Sequence, residues 1–247
     1  MDPSLWLPNA DTRDPARLRL LCFAHAGGGA APFFRWGAAL PEVAVCPVRR
    51  PGRESAHAQP ALRDVPAIVA GAMRAIQTLP PSPTALYGHS LGALIAFEVA
   101  RAMQAAGAPP KLLVVSGKPA PQLPPRLPDL AHLPHDRFLR ELDELYGGIP
   151  QEIKAVPELL EMMLPVIRAD MTASEGHRHQ PGPRLQCPLV VCHGAEDRAV
   201  DPTALQSWGE LTEGTFEVLT FPGGHFFPYD AGSGFLATLR SRLARVA

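Results

Sequence analysis

The segment Gly88-His89-Ser90-Leu91-Gly92 has the clearest chemical potential in the chain. It fits Gly-x-Ser-x-Gly, with a short apolar run before it and an Ala/Leu-rich helical pattern after it. A sharp strand-to-helix turn needs small flanking residues, so that the serine can take a strained backbone and project its oxygen. The start of the following helix offers free N–H groups, the Leu91 amide first, to a developing anion. A serine hydroxyl is a poor nucleophile without a base, and in this architecture an acid and then a histidine follow the serine in chain order. His225, in Phe221-Pro222-Gly223-Gly224-His225-Phe226, comes just after the last apolar run and is the candidate base. Glu196, Asp197 and Asp201 follow the preceding run and are the candidate acids. Asp197 is favoured, at the tip of Gly194-Ala195-Glu196-Asp197. Asp201-Pro202 reads as the cap and first residue of a helix, and Glu196 is the weaker alternative. In isolation Ser90 would be a turn serine and His225 a loop histidine; order and context favour the catalytic reading.

An oxyanion hole needs a second donor, from the loop after an early strand. His25-Ala26-Gly27-Gly28-Gly29 stands there, and three glycines let main-chain amides approach a substrate closely. A phosphate-binding loop is the rival reading, but the lysine of that motif is missing. His89 reads as packed beside the nucleophile. His177 and His179 form His-x-His with no neighbouring set of ligands, so a solvated helix end is expected rather than a metal site.

The elements that must position these residues are legible as short apolar runs at 18–24, 43–48, 85–88, 112–116, 189–193 and 216–221, which suit strands covered on both faces. Helical patterns lie between them. Asp64 caps a stretch at 67–79 with Ile68, Val69, Met73 and Ile76 on one face; a second at 91–106 stops at Gly107; others fall at 204–211 and 235–246. The alternation predicts an α/β fold: a mostly parallel central sheet with helices on both faces. Residues 119–183 break it and read as a helical insertion in a single domain spanning 1–247. The insertion opens with Pro119, Pro121, Pro124, Pro125, Pro128 and Pro134. An amphipathic helix marked by Phe138, Leu139, Leu142, Leu145 and Tyr146 ends at Gly147-Gly148. A longer one, about 158–177, carries Leu159, Leu160, Met162, Met163 and Leu164, with Pro165 expected to kink it.

Composition sets the outer bounds. The 247 residues carry a net charge of −1, which lacks the basic excess of a nucleic-acid surface. The 29 prolines and 21 glycines make about a fifth of the chain, below the ~25–30% that signals disorder. No run approaches the ~18 apolar residues of a membrane helix. Met1 to Trp6 do not begin a signal peptide, so a cytoplasmic location is expected. Cys22, Cys46, Cys187 and Cys192 include no Cys-x-x-Cys pair and read as buried thiols.

Taken together and in order, these segments resemble the stand-alone type II thioesterases of polyketide and nonribosomal peptide assembly lines, within the α/β-hydrolases. The resemblance runs from about Arg17 to the C-terminus. It rests on His25-Ala26-Gly27-Gly28, Pro51-Gly52-Arg53, the elbow Gly88 to Ala93, Gly148-Ile149-Pro150, Leu164-Pro165, Arg168-Ala169-Asp170, Gly194 with Asp197, and Gly223-Gly224-His225-Phe226. Two positions depart from it: Ala24 stands where a proline is common, and Arg50 where an aromatic or aliphatic residue is common. The Arg50 departure is expected to alter the mouth of the site.

The resemblance implies hydrolysis of acyl thioesters on the phosphopantetheine arm of acyl or peptidyl carrier proteins, clearing stalled or misprimed groups. Ser90, His225 and Asp197 would form the triad, and the Ala26 and Leu91 amides the oxyanion hole. No metal or cofactor is implied, nor a nucleic-acid or membrane partner, and a monomer is the family's default. The insertion would be a lid over an acyl channel, with Met162, Met163 and Leu164 as candidate lining residues. Arg49, Arg50 and Arg53 are candidates for a basic rim that docks an acidic carrier. The alternatives are a carboxylesterase or lipase, or an acyltransferase, with the same triad.

Overall fold

The computed structural model describes residues 5–8, 10, 17–147 and 157–247. Gly148-Ile149-Pro150, and with it the second glycine expected to end the amphipathic helix, lies outside them, as do Met1 to Ser4 of the N-terminal stretch.

Six strands form one all-parallel sheet: β1 (Arg19–Phe23), β2 (Ala44–Val48), β3 (Thr84–His89), β4 (Leu112–Ser116), β5 (Leu189–Gly194) and β6 (Phe216–Phe221), in the order β2-β1-β3-β4-β5-β6. Period-two alternation sends strand residues to opposite faces. Leu21, Phe23, Leu86, Leu113, Val115 and Val191 pack on one side against α2 (Val65–Ile76) and α3 (Leu91–Ala105). Leu20, Cys22, Tyr87, Val114 and Cys192 pack on the other against Trp36 of α1 (Trp36–Ala39) and the C-terminal helix. Burial on both faces explains the unbroken apolar runs of β1, β3, β4 and β5, whereas β6, at the other sheet edge, is mostly half-buried. Pro47, which has no N–H, sits in β2 at the sheet edge, where a missing donor costs least.

Helix limits follow local chemistry. The Asp64 carboxylate accepts the Ala67 N–H at 2.8 Å and starts α2. Gly107, at φ +77°, ends α3, with the Ala108 N–H closing on the Met103 carbonyl. The stretch at 204–211 is a 3-10 helix, Pro202–Leu211, and the C-terminal pattern forms a helix over Phe235–Leu243.

Between β4 and β5 the chain leaves the sheet. Residues 117–134, which hold the six prolines, form turns and loop. Two helices follow: α4 (His135–Tyr146), stopped by Gly147 at φ +60°, and α5 (Pro157–Gly176). α5 runs as one helix through Pro165. The C-terminal helix, Phe235–Leu243, is α6. No helix among the described residues is long and apolar enough to cross a membrane.

The sheet order reverses direction between β1 and β3. In open α/β sheets the crevice beyond the strand ends at such a point is where ligands bind. β1 runs into the His25–Gly29 loop there, and β3 into Ser90.

Candidate active site

Ser90 sits between β3 and α3 at φ +56°, ψ −119°. A non-glycine residue in such a conformation costs on the order of 1–3 kcal/mol and persists only where its surroundings fix it. They do so here. The Ser90 N–H donates to the Ser116 carbonyl at 2.8 Å, and the Ser90 carbonyl accepts from Ala93 at 2.9 Å. The two glycines of the motif are steric necessities. A Cβ on Gly88 would lie 2.1 Å from the Gly92 carbonyl oxygen, and one on Gly92 would lie 2.0 Å from the Phe23 carbonyl oxygen.

Asp197 and His225 meet through two loops that are laced together. The Ala195 and Glu196 amides donate to the Phe221 and Gly223 carbonyls at 2.8 and 3.0 Å. Gly194 permits this approach, since a Cβ there would stand 2.4 Å from the Gly224 carbonyl oxygen. The result is a buried 2.8 Å hydrogen bond from His225 Nδ1 to Asp197 Oδ2. The other Asp197 oxygen accepts the Ala199 N–H at 3.0 Å. Asp201 instead caps the 3-10 helix through Thr203 and pairs with Arg126 at the surface. Glu196 is exposed and lines, with Tyr146, Arg198, Gly224 and His225, a cavity of about 550 Å³.

The remaining surroundings of His225 are rings. His89, Tyr146 and Phe226 lie 4.9, 4.9 and 5.1 Å away between centroids. His89 is fully buried, with Nδ1 2.9 Å from Ser116 Oγ, and burial first, then the neighbouring His225 and His25, hold its pKa well below the ordinary value. His25 contacts the Tyr229 hydroxyl at 3.2 Å, and burial, His225 and Arg50 lower its pKa to about 3. Both rings are therefore neutral. Gly117 closes the arrangement: a Cβ there would stand 2.6 Å from His89 Cε1 and 3.1 Å from His225 Cε1. The residue whose carbonyl anchors Ser90, Ser116, and the glycine under His225 are thus adjacent in the chain.

The arginine cluster is not a docking rim. Arg49, Arg50 and Arg53 are buried, and Arg50 is only 2% exposed. Arg49 donates through Nε to the Leu5 carbonyl and faces Glu54 at 3.8 Å. Arg50 and Arg53 turn inward onto Asp170 of α5, with bonds of 2.8, 2.7 and 3.0 Å. A guanidinium and a carboxylate match in fork geometry, so these side chains serve the interior. Arg50 accordingly does not form the mouth of the site. Burial opposes ionisation of Asp170, but Arg50, Arg53 and the Gly27 N–H outweigh it and hold the carboxyl below the usual carboxylate range.

Met162 also departs from expectation. It is 68% exposed and points to solvent, so it cannot line an interior channel. Leu164 is buried and Met163 partly so, among Phe138, Leu142, Ile167 and Met171, in a cluster that reaches Ala26 and Tyr146. His177 is not simply solvated: its ring lies against Glu98, with Nε2 3.4 Å from Oε1. The sequence reading missed two neighbours of the site, Tyr146 against His225 and Asp170 beneath the His25–Gly29 loop. Asp170 had a usable signal, because it lies on the same helical stripe as Leu164, Ile167 and Met171. A charge on an apolar stripe requires buried partners.

Comparison with known proteins agrees with this geometry. A thioesterase-domain family model matches residues 18–243. The gramicidin S biosynthesis protein GrsT of Aneurinibacillus migulanus is 37% identical over 92% of this chain and 89% of its own length. Thioesterase PikA5 of Streptomyces venezuelae is 36% identical over 93% of this chain and 82% of its own. The solved structure of BorB, a type II thioesterase from the borrelidin biosynthetic cluster, superposes with a TM-score of 0.88 at 34% identity, covering 97% of this chain and 98% of that one. With the α/β-hydrolase fold, a family model over nearly its whole length and relatives this similar, the chain belongs to the thioesterase family.

Proposed function

We propose that this thioesterase hydrolyses acyl groups held on the phosphopantetheine arm of acyl or peptidyl carrier proteins, clearing stalled or misprimed groups from an assembly line. The observation that carries the chemistry is the 2.8 Å Asp197–His225 bond at the crevice where Ser90 is held in a strained elbow. The names of GrsT, PikA5 and BorB support the substrate class.

In this reading His225 takes the Ser90 proton and Ser90 Oγ attacks the thioester carbonyl. The Ala26 and Leu91 amides hold the oxyanion, and the thiol departs with the proton from His225. Water, deprotonated by His225, then attacks the acyl-serine, and His225 returns that proton to Ser90 Oγ as the acid is released. Asp197 orients the imidazole and stabilises its charged form. A thiolate leaves more readily than an alkoxide, so the first step asks less of the general acid. The chain acts as one domain and as a monomer, with residues 119–183 as a lid whose Leu164 side chain belongs to an apolar cluster that Ala26 and Met163 pack against.

The test is a panel of acyl groups loaded on carrier proteins, compared with matched oxygen esters, with products identified. Free acid released faster from the carrier thioester is the expected result. Preference for the oxygen ester would favour an esterase, and acyl transfer to an added alcohol or amine would favour a transferase.

A further inference from the structure

The His25–Gly29 loop is built from the inside by one carboxylate and two guanidiniums, none of which touches the proposed reacting atoms. Arg50 Nη1 donates to the Ala24 carbonyl at 2.8 Å, and Arg50 Nη2 to the His25 carbonyl at 2.8 Å and the Gly28 carbonyl at 3.3 Å. Arg53 Nη1 also donates to the Gly28 carbonyl, at 2.9 Å. With the carbonyls held on that side, the loop's amides are assigned in turn. Gly27 gives its N–H to Asp170 Oδ2 at 2.7 Å, and Gly28 gives its own to the His25 carbonyl at 3.0 Å. Neither bond uses the Ala26 N–H. Gly27 adopts φ +80°, and a Cβ there would stand 2.7 Å from Ile167 Cγ1. Ile167 and Asp170 are one helical turn apart on α5, so this helix grips the loop by an apolar contact and an ionic one.

The charges do not cancel. Two guanidiniums face one fully buried carboxylate, while the adjacent Arg49 and Glu54 offset each other. A surplus positive charge therefore lies inside the loop, where low dielectric keeps it effective. Fixed charge and dipoles aimed at a developing anion are the largest catalytic term in most acyl-transfer sites.

We propose that Asp170 is a positioning residue for the oxyanion hole: clamped between Arg50 and Arg53, it sets the Gly27 peptide so that the Ala26 N–H faces the thioester oxygen. Because Asp170 belongs to α5, seating of that helix and alignment of the hole are one event. The inference rests on Ser90 being the nucleophile.

The experiment compares Asp170→Asn and Arg50→Lys with the parent enzyme on an acyl N-acetylcysteamine thioester, which removes carrier docking from the readout. It adds inhibition by an alkyl trifluoromethyl ketone. Ser90 Oγ adds to the ketone carbon and its proton passes to His225, leaving a tetrahedral anion in the hole. The expected result is a kcat loss on the order of 10- to 100-fold, short of the ~10²–10³-fold of losing an oxyanion donor outright. KM should stay within about twofold, and the inhibitor should weaken by the same factor as kcat falls. Asp170→Asn leaves two buried guanidiniums against a neutral amide; should it not fold, Arg50→Lys, which keeps its charge and loses the forked contacts, decides alone. Loss confined to KM, unchanged ketone affinity, or kcat within twofold of the parent would overturn the proposal. Ser90→Ala in the same assay separates the two claims. An active Ser90→Ala would sink both, whereas an inactive one beside a fully active Asp170→Asn would sink this one alone.

Discussion

His225 donates its Nδ1 proton to Asp197 Oδ2 across 2.8 Å, while Asp201, four residues further on, is occupied by Thr203 and Arg126 at the surface. The acid assignment is therefore a matter of which carboxylate the laced loops present. Asp197→Asn should lower kcat on an acyl thioester by about 10³- to 10⁴-fold, the scale of losing the correct imidazole tautomer. Asp201→Asn should stay within about threefold, because asparagine still caps the 3-10 helix and only the surface pair with Arg126 is lost. A large loss at Asp201 with Asp197→Asn still active would move the assignment.

The neutral rings of His89 and His25 give the fold an acid limit. Both have folded-state pKa values below the ordinary ~6.5 of the unfolded chain. Below that value, and for His25 down to about 3, the unfolded state binds protons that the folded state refuses, so stability present above pH 6.5 is lost as pH falls. A ring that stays unprotonated in the folded state costs about 1.4 kcal/mol per pH unit, so His25 contributes about 2 kcal/mol by pH 5 and His89 adds to the loss in the same direction. Urea midpoints measured from pH 7 to pH 5 should fall accordingly, and His89→Asn should flatten the slope. An unchanged slope in that variant would show that His89 is not the group responsible.

The side chains of α5 divide sharply by exposure. Leu164→Ala should cost about 2–5 kcal/mol, because it opens a cavity in the cluster with Phe138, Leu142 and Ile167. Met162→Glu, at a 68% exposed position, should change stability by less than about 0.5 kcal/mol. Denaturant titration of both variants checks this, and similar costs for the two would contradict the orientation of α5.

These contrasts mark what the amino-acid sequence could reveal. The strands were legible because burial on both faces leaves unbroken apolar runs, and the elbow because Gly88 and Gly92 each abut backbone that admits no side chain. Asp64 and Gly107 mark helix ends through local bonds, which need no tertiary knowledge. The arginines were misread for the opposite reason. Arg50 and Arg53 look like surface charge until Asp170, well over a hundred residues later, arrives to bury them. Met162 was misplaced because its neighbours on α5 are apolar on most sides, so periodicity alone did not fix which side faces solvent. Tyr146 reaches His225 only through the packing of α4 against α5, which no local pattern encodes.

The central claim, that Ser90 carries the acyl group, is tested most directly by intact-protein mass spectrometry after mixing the enzyme with excess acyl-carrier thioester and quenching within the first turnover. The account predicts a mass increase of one acyl group minus one hydrogen, mapping to the peptide that contains Ser90 and absent from Ser90→Ala. An acyl adduct of equal yield in Ser90→Ala, or one mapping to another residue, would contradict it.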